Sequence, residues 1–104
     1  MKGEYRGEQV AFDDIPLLCK RRAFVAVYRP QYARRLEDLP REFAALAGLV
    51  RKYGKNLLVT VDEALFVLPN RGTGGLGELL LLGRSSGISL IYATQYVLTF
   101  PKIL

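Results

Sequence analysis

Leu57-Leu58-Val59-Thr60-Val61-Asp62-Glu63 is the stretch that decides the fold, because a run of mainly aliphatic residues ends there in two adjacent carboxylates. Such an apolar run predicts a strand that is buried on both faces of a parallel sheet. In open parallel sheets, ligands bind beyond the carboxyl ends of the strands. Asp62 and Glu63 are expected at that end, where one carboxylate can hold Mg²⁺ through its water shell and the other can deprotonate a water. The alternative is that Asp62 only caps the following helix.

Strands and helices are predicted to alternate on either side of this stretch. The strands cover residues 23–28, 56–61 and 88–94, and the helices cover residues 39–53 and 76–86. Because the order is strand, helix, strand, helix, strand, we expect an α/β fold with a parallel sheet.

The helix over residues 39–53 has the clearest pattern. Its apolar residues recur at helical spacing on one face: Leu39, Phe43, Leu46, Ala47, Val50 and Tyr53. Asp38 is the predicted N-cap, and Gly54 suits the position after the helix. Three charged residues on the opposite face are expected to be exposed to solvent: Arg41, Glu42 and Arg51.

The glycine-rich segment 71–77 matches the glycine spacing of two phosphate-binding patterns but lacks their other requirements. A phosphate loop has Lys and then Ser or Thr after its last glycine, whereas this segment is followed by Glu78 and Leu79. A dinucleotide-binding fingerprint follows directly on a strand, and this segment does not. We therefore expect a flexible connection beside the site. In the following helix, the run 79–82 is apolar all round, which predicts burial or an interface, and Gly87 is the predicted C-cap.

Composition favours one small domain with an apolar core, since the chain has 104 residues of which 50% are hydrophobic. With one cysteine and no histidine, an internal disulfide and a structural zinc site are excluded. The beginning of the chain is polar and no apolar run approaches the length of a membrane span, so we expect no membrane span and a cytoplasmic location. The net charge of +5 suits an acidic partner, DNA included.

Three elements together resemble the FtsK/HerA-type motor ATPases, a family of P-loop enzymes that pump or thread DNA and include phage and plasmid relatives. These elements are Asp62-Glu63-Ala64, the run Gly83-Arg84-x-x-Gly87-Ile88-Ser89-Leu90, and the strand end Ala93-Thr94-Gln95. The resemblance covers about residues 23–104. It implies a RecA-like core of three layers with a mainly parallel sheet. Residues 1–104 form the part of this core that carries the sensor and the Walker B element, which is the aliphatic strand that ends in Asp62-Glu63.

The resemblance also implies a role for each site residue and, as cofactors, ATP and Mg²⁺. Asp62 resembles the acid associated with Mg²⁺, and Glu63 resembles the catalytic base. Gln95 resembles the polar sensor that contacts the γ-phosphate or the attacking water; alternatively, it only ends a strand. Arg84 resembles an arginine that acts on a neighbouring subunit, or it is a cation that stabilises the end of a helix.

The chain departs from this family in lacking a Walker A loop, which is expected upstream of Met1. Without that loop the triphosphate has no cradle, so we do not expect this chain to bind ATP or to be active alone. The missing strand would leave the edge of strand 88–94 bare, which predicts self-association or a partner that supplies the strand. Two alternatives stay open: a non-catalytic oligomerising or regulatory module, and a nucleic-acid-binding protein that uses the basic clusters at residues 20–22, 34–35 and 51–52.

Overall fold

The computed structural model describes residues 7–69, 72 and 74–92. This part of the chain contains four strands and three α-helices, in this order: β1 (Glu8–Val10), α1 (Ile15–Leu18), β2 (Ala26–Tyr28), α2 (Leu39–Tyr53), β3 (Leu58–Val61), α3 (Gly74–Leu82) and β4 (Ser89–Tyr92). Short 3₁₀ turns lie between them at Phe12–Asp14, Leu36–Asp38, Ala64–Val67 and Arg84–Ser86. Among the described residues, no helix is long and apolar enough to cross a membrane.

The four strands form two separate two-stranded sheets, and both sheets are parallel. β1 pairs with β2 so that Val10 lies opposite Tyr28, and β3 pairs with β4 so that Val61 lies opposite Tyr92. The prediction of a mixed helix and strand protein with parallel pairing is therefore confirmed. The described strands do not form the single sheet that the sequence predicted, and β1 was not predicted at all.

Helix α2 is the element on which both sheets pack, and its predicted bounds are confirmed. One part of its apolar face, with Leu46 and Val50, packs against the cluster of Val10, Ile15 and Leu18 beside β1 and β2. Another part, with Ala47 and Phe43, packs against α3 and β4 in a cluster that contains Leu79 and Ile88. The predicted N-cap position of Asp38 is confirmed, but its side chain makes no capping hydrogen bond among the described residues, and its backbone angles are helical because it ends a 3₁₀ turn.

The glycine-rich segment forms the start of α3 from Gly74 onward, so the predicted flexible connection is wrong for residues 74–77. The reason is close packing between helices. A Cβ atom built on Gly75 would lie 2.7 Å from the ring of Phe43, so only glycine lets α3 approach α2 this closely. Across the same helix pair, Nε of Arg51 lies 2.8 Å from Oε2 of Glu78.

The apolar run 79–82 is divided between the core and the surface. Leu79 is buried, whereas Leu81 is 76% exposed and Leu82 is also exposed. Burial of the whole run is therefore wrong, and its role in an interface stays a prediction. Gly87 is confirmed as the C-cap of the 3₁₀ turn after α3, with the left-handed φ of +76° that favours glycine.

Only one face of the β3–β4 sheet is covered by described residues. Val59 and Leu90 point to the side of the helices, whereas Leu58 is 62% exposed and Ile91 is 52% exposed on the other side. Since residues paired in register point to the same face, Thr60 lies with Ile91 on this open face. The prediction that β3 is buried on both faces is wrong for the described part of the chain, where the two helices that pack on this sheet, α2 and α3, cover the same side.

Candidate functional site

Asp62 and Glu63 lie directly beyond the carboxyl end of β3, as predicted. Two buried residues fix this turn, since Val61 precedes it and the fully buried Ala64 follows it. The backbone carbonyl of Glu63 accepts a hydrogen bond from the N–H of Phe66 at 3.0 Å, which starts the 3₁₀ turn. Glu63 has a φ of +54°, a left-handed conformation that is uncommon for residues other than glycine and that clusters at functional sites.

The two carboxylates differ in their surroundings. Asp62 is exposed, whereas Glu63 is half-buried, and its Oε1 atom is buried without a hydrogen-bond partner among the described residues. Buried polar atoms are nearly always paired, and leaving one unpaired costs about 1–3 kcal/mol. The orphaned oxygen therefore marks a place where a group from outside the described residues would complete the hydrogen bonding.

The donor set at this turn fits one mode of metal binding. Among the described residues, no group of three or more His, Cys, Asp or Glu side chains converges on one point. Mg²⁺ is commonly held by one or two carboxylates together with waters and substrate phosphates, so a dense cluster is not required. The exposed Asp62 fits that mode, and the unpaired oxygen of Glu63 fits a hydrogen bond to a bound water.

Arg84 does not lie with the carboxylates. It begins the 3₁₀ turn after α3 and is exposed. The N–H of Asn56, which precedes β3, donates to the carbonyl of Ser86 at 2.9 Å. This places the turn at the amino end of β3, and the four residues of that strand, at about 3.3 Å each, separate the turn from Asp62. Within one copy of the chain, Arg84 and the carboxylates therefore lie at opposite ends of the sheet.

Gln95 and the strand end before it lie outside the described residues, as do Met1 to Arg6. The structure brings together two of the four predicted site residues, Asp62 and Glu63, and places Arg84 elsewhere.

A side chain with four hydrogen bonds to described residues was not predicted from the sequence. Glu42 was expected to face solvent, but it is only 8% exposed. Its carboxylate accepts hydrogen bonds from the hydroxyl of Tyr28 and from three consecutive backbone N–H groups, those of Gln31 (2.6 Å), Tyr32 (3.0 Å) and Ala33 (2.7 Å). Its sequence signal was weak, because an acidic residue in the first turns of a helix is common and its partners lie 9 to 14 positions earlier.

These hydrogen bonds decide the ionisation of Glu42. Burial alone would raise the pKa of this carboxyl, but the hydrogen bonds from Tyr28 and from the loop N–H groups outweigh burial and hold the pKa below its usual value. Burial, together with the adjacent carboxylate, raises the pKa of Tyr28 well above its usual value. At neutral pH the pair is therefore a charged carboxylate and a neutral phenol that donates to it.

The three basic clusters named from the sequence each lose one cation to an ion pair. Arg21 pairs with Glu8 at 2.6 Å, Arg35 pairs with Glu37 at 2.9 Å, and Arg51 pairs with Glu78 as described above. A nucleic-acid-binding surface needs cations that are available to neutralise phosphates. These ion pairs therefore make the nucleic-acid-binding hypothesis weaker.

Comparison of the chain with protein-family models, with curated proteins and with solved structures finds no match.

Proposed function

We propose that this chain contributes the carboxylates and the sensor of an ATP-hydrolysing site in a motor of the FtsK/HerA type that moves DNA. The observation that carries the proposal is the buried, unpaired Oε1 of Glu63 directly beyond the carboxyl end of a parallel strand. Such an oxygen is well suited to accept a proton from a positioned water, because nothing among the described residues competes for its lone pairs.

In this proposal the two carboxylates have separate tasks. The half-buried Glu63 orients a water and takes its proton, and the exposed Asp62 holds Mg²⁺ through the water shell of the ion. ATP, when bound, would supply the phosphoryl group, and Mg²⁺ would neutralise the negative charge that develops during transfer. Gln95 is proposed as the polar group that senses the γ-phosphate.

The remaining parts of the site are proposed to come from elsewhere. The 104 residues contain no glycine-rich loop followed by Lys and Ser or Thr, so we place the phosphate cradle on another segment or subunit. Because Arg84 lies at the other end of the sheet from Glu63, we propose that it acts on the nucleotide of a neighbouring subunit.

The test is the ATPase rate of the native assembly, purified through an affinity tag on this chain. Glu63→Gln keeps the size of the side chain but removes the proton acceptor, so we expect the rate to fall by about 100-fold or more. The matched control is Glu37→Gln, which removes a surface carboxylate that pairs with Arg35 and should leave the rate unchanged.

Two results would overturn the proposal: an assembly without ATPase activity, or a Glu63→Gln assembly that hydrolyses ATP at the unsubstituted rate. Micromolar binding of Mg-ATP by the isolated chain would overturn the separate claim that the cradle lies elsewhere.

A second candidate function, a non-catalytic oligomerising or regulatory module, is favoured by the open face of the β3–β4 sheet. Leu58 and Ile91 lie on this face and are 62% and 52% exposed. Burying two such side chains against another surface contributes roughly 1.5–3 kcal/mol each when burial is complete. Exposed apolar side chains grouped on one face are typical of interaction surfaces.

Light scattering after size-exclusion chromatography tests this candidate. We expect the chain to self-associate at tens of micromolar concentration and the double variant Leu58→Ser, Ile91→Ser to become monomeric. Leu81→Ser is the control, since it removes an exposed leucine from α3 and not from the sheet. A monodisperse monomer of the unsubstituted chain would rule out self-association through this face.

A further inference from the structure

A polar cleft lies at the carboxyl ends of β1 and β2, away from the carboxylates after β3. Its volume is about 400 Å³, and its lining includes Val10 and Gln9 from β1 and Arg29 and Gln31 from the chain after β2. The carboxyl ends of neighbouring parallel strands are the usual position of ligands in α/β proteins. The volume is within the range of small-molecule sites.

One wall of this cleft is held in place from two sides. The side-chain Oε1 of Gln31 accepts a hydrogen bond from the N–H of Phe12 at 2.6 Å, and the backbone N–H of Gln31 donates to Glu42 at 2.6 Å. Among the described residues only the side-chain oxygen of Gln31 is engaged, so within this part of the chain the donors of its NH₂ group are available. Glu42, far from being a surface charge, therefore fixes the loop that forms the cleft.

The cleft contains two opposite charges that do not pair with each other. Arg29 makes no ion pair within the described part of the chain. Asp14 also lines the cleft, and its Oδ2 accepts a hydrogen bond from the N–H of Ala11 at 3.0 Å. A guanidinium without a carboxylate partner is available to an oxyanion, to which it can donate two parallel hydrogen bonds. The carboxylate of Asp14 would repel a bare anion but would accept from a hydroxyl or amino group.

We propose that this cleft binds a small organic oxyanion, either a phosphate monoester or a carboxylate, that also carries a hydrogen-bond donor. Arg29 and the amide of Gln31 donate to the oxyanion, and Asp14 accepts from the donor group of the same molecule. The proposal does not depend on ATP hydrolysis, since it uses none of the residues assigned to that site.

Titration of the isotopically labelled chain, followed by its backbone amide signals in NMR spectra, tests the proposal. The probes are glycerol 3-phosphate, glycerate and inorganic phosphate. We expect saturable shifts confined to the amides of residues 9–14, 29, 31 and 32, with at least one organic probe binding more tightly than inorganic phosphate. Tighter binding of glycerol 3-phosphate would identify a phosphate monoester site, and tighter binding of glycerate would identify a carboxylate site.

Two matched arginine variants distinguish binding in the cleft from nonspecific attraction of the anion to positive charge on the surface. Arg29→Gln should weaken binding at least tenfold, whereas Arg34→Gln removes an arginine that is also exposed but does not line the cleft and should leave binding unchanged. Asp14→Asn should strengthen the binding of inorganic phosphate. The difference in affinity between the organic probe and inorganic phosphate should therefore become smaller. Absence of saturable shifts, or equal weakening by the two arginine variants, would overturn the proposal.

Discussion

The hydroxyl of Tyr28, at the end of β2, donates a hydrogen bond to the carboxylate of Glu42, one turn into α2. The same carboxylate binds the backbone of the loop that joins these two elements. A single side chain therefore sets the position of the strand end, the loop and the helix relative to one another.

Glu42→Gln should lower the free energy of unfolding by about 2–3 kcal/mol. Hydrogen bonds to a charged group are worth about 1.5–3 kcal/mol, and the NH₂ group of the new amide would face hydrogen-bond donors that it cannot pair with. Urea unfolding followed by circular dichroism measures the change. The control Glu37→Gln removes an exposed carboxylate and should change stability by less than about 0.5 kcal/mol. A loss of less than about 0.5 kcal/mol for Glu42→Gln would show that the carboxylate does not anchor the loop.

The stabilisation by Glu42 should depend on pH in a defined direction. Since its folded pKa is lowered, its contribution is fully present above the unfolded pKa of about 4.3 and is lost as the pH falls below that value through the folded pKa. The difference in unfolding free energy between the unsubstituted chain and Glu42→Gln should be constant from about pH 5.5 to 8 and should shrink below about pH 4.3. Urea unfolding across this range checks the prediction, and a difference that grows on acidification would contradict it.

Gly75→Ala and Gly48→Ala form a matched pair of helical substitutions with opposite expected effects. A Cβ on Gly75 would meet the Phe43 ring at 2.7 Å and the Ala47 Cβ at 3.1 Å, so overpacking should cost about 1–3 kcal/mol. A Cβ on Gly48, in α2, meets nothing within 4 Å, so alanine should stabilise by about 0.5–1 kcal/mol. Thermal unfolding measures the change in stability caused by each substitution. Equal changes for the two variants would mean that α3 does not pack on α2 in this way.

Glu63→Gly should stabilise the chain by about 1 kcal/mol, although it removes the proposed proton acceptor. Glycine adopts the φ of +54° without strain, and the substitution also removes the buried, unpaired oxygen. Asn56→Gly is the control, since asparagine tolerates its similar φ of +53° and the gain should be within about 0.5 kcal/mol. Chemical denaturation measures both, and a destabilised Glu63→Gly variant would show that the turn stores no strain.

Local patterns predicted the parts of the fold that depend on neighbours in sequence. The bounds of α2 followed from an apolar residue every third or fourth position, and the position of Asp62 after β3 followed from the end of an aliphatic run. Gly87 was identifiable because helices often end with a residue in the left-handed conformation, and that residue is usually glycine.

Features that depend on distant contacts were not predictable in this way. Glu42 lies among charged residues of the helix, and its burial is decided by a loop that turns its N–H groups toward it. The glycines from Gly74 onward resembled a loop because the side chain that requires a glycine at position 75, Phe43, is about thirty positions earlier in the chain. The open face of β3 was missed because an aliphatic run does not reveal whether one or both sides are covered.

The position of α2 between the two sheets has a consequence for how the chain unfolds. A two-stranded sheet alone is marginally stable in water, and each of the two sheets here completes its apolar cluster with side chains from α2. We therefore expect neither sheet to keep its core once that helix detaches. The described part of the chain should then unfold as one cooperative unit, in which both strand pairs are lost in one transition.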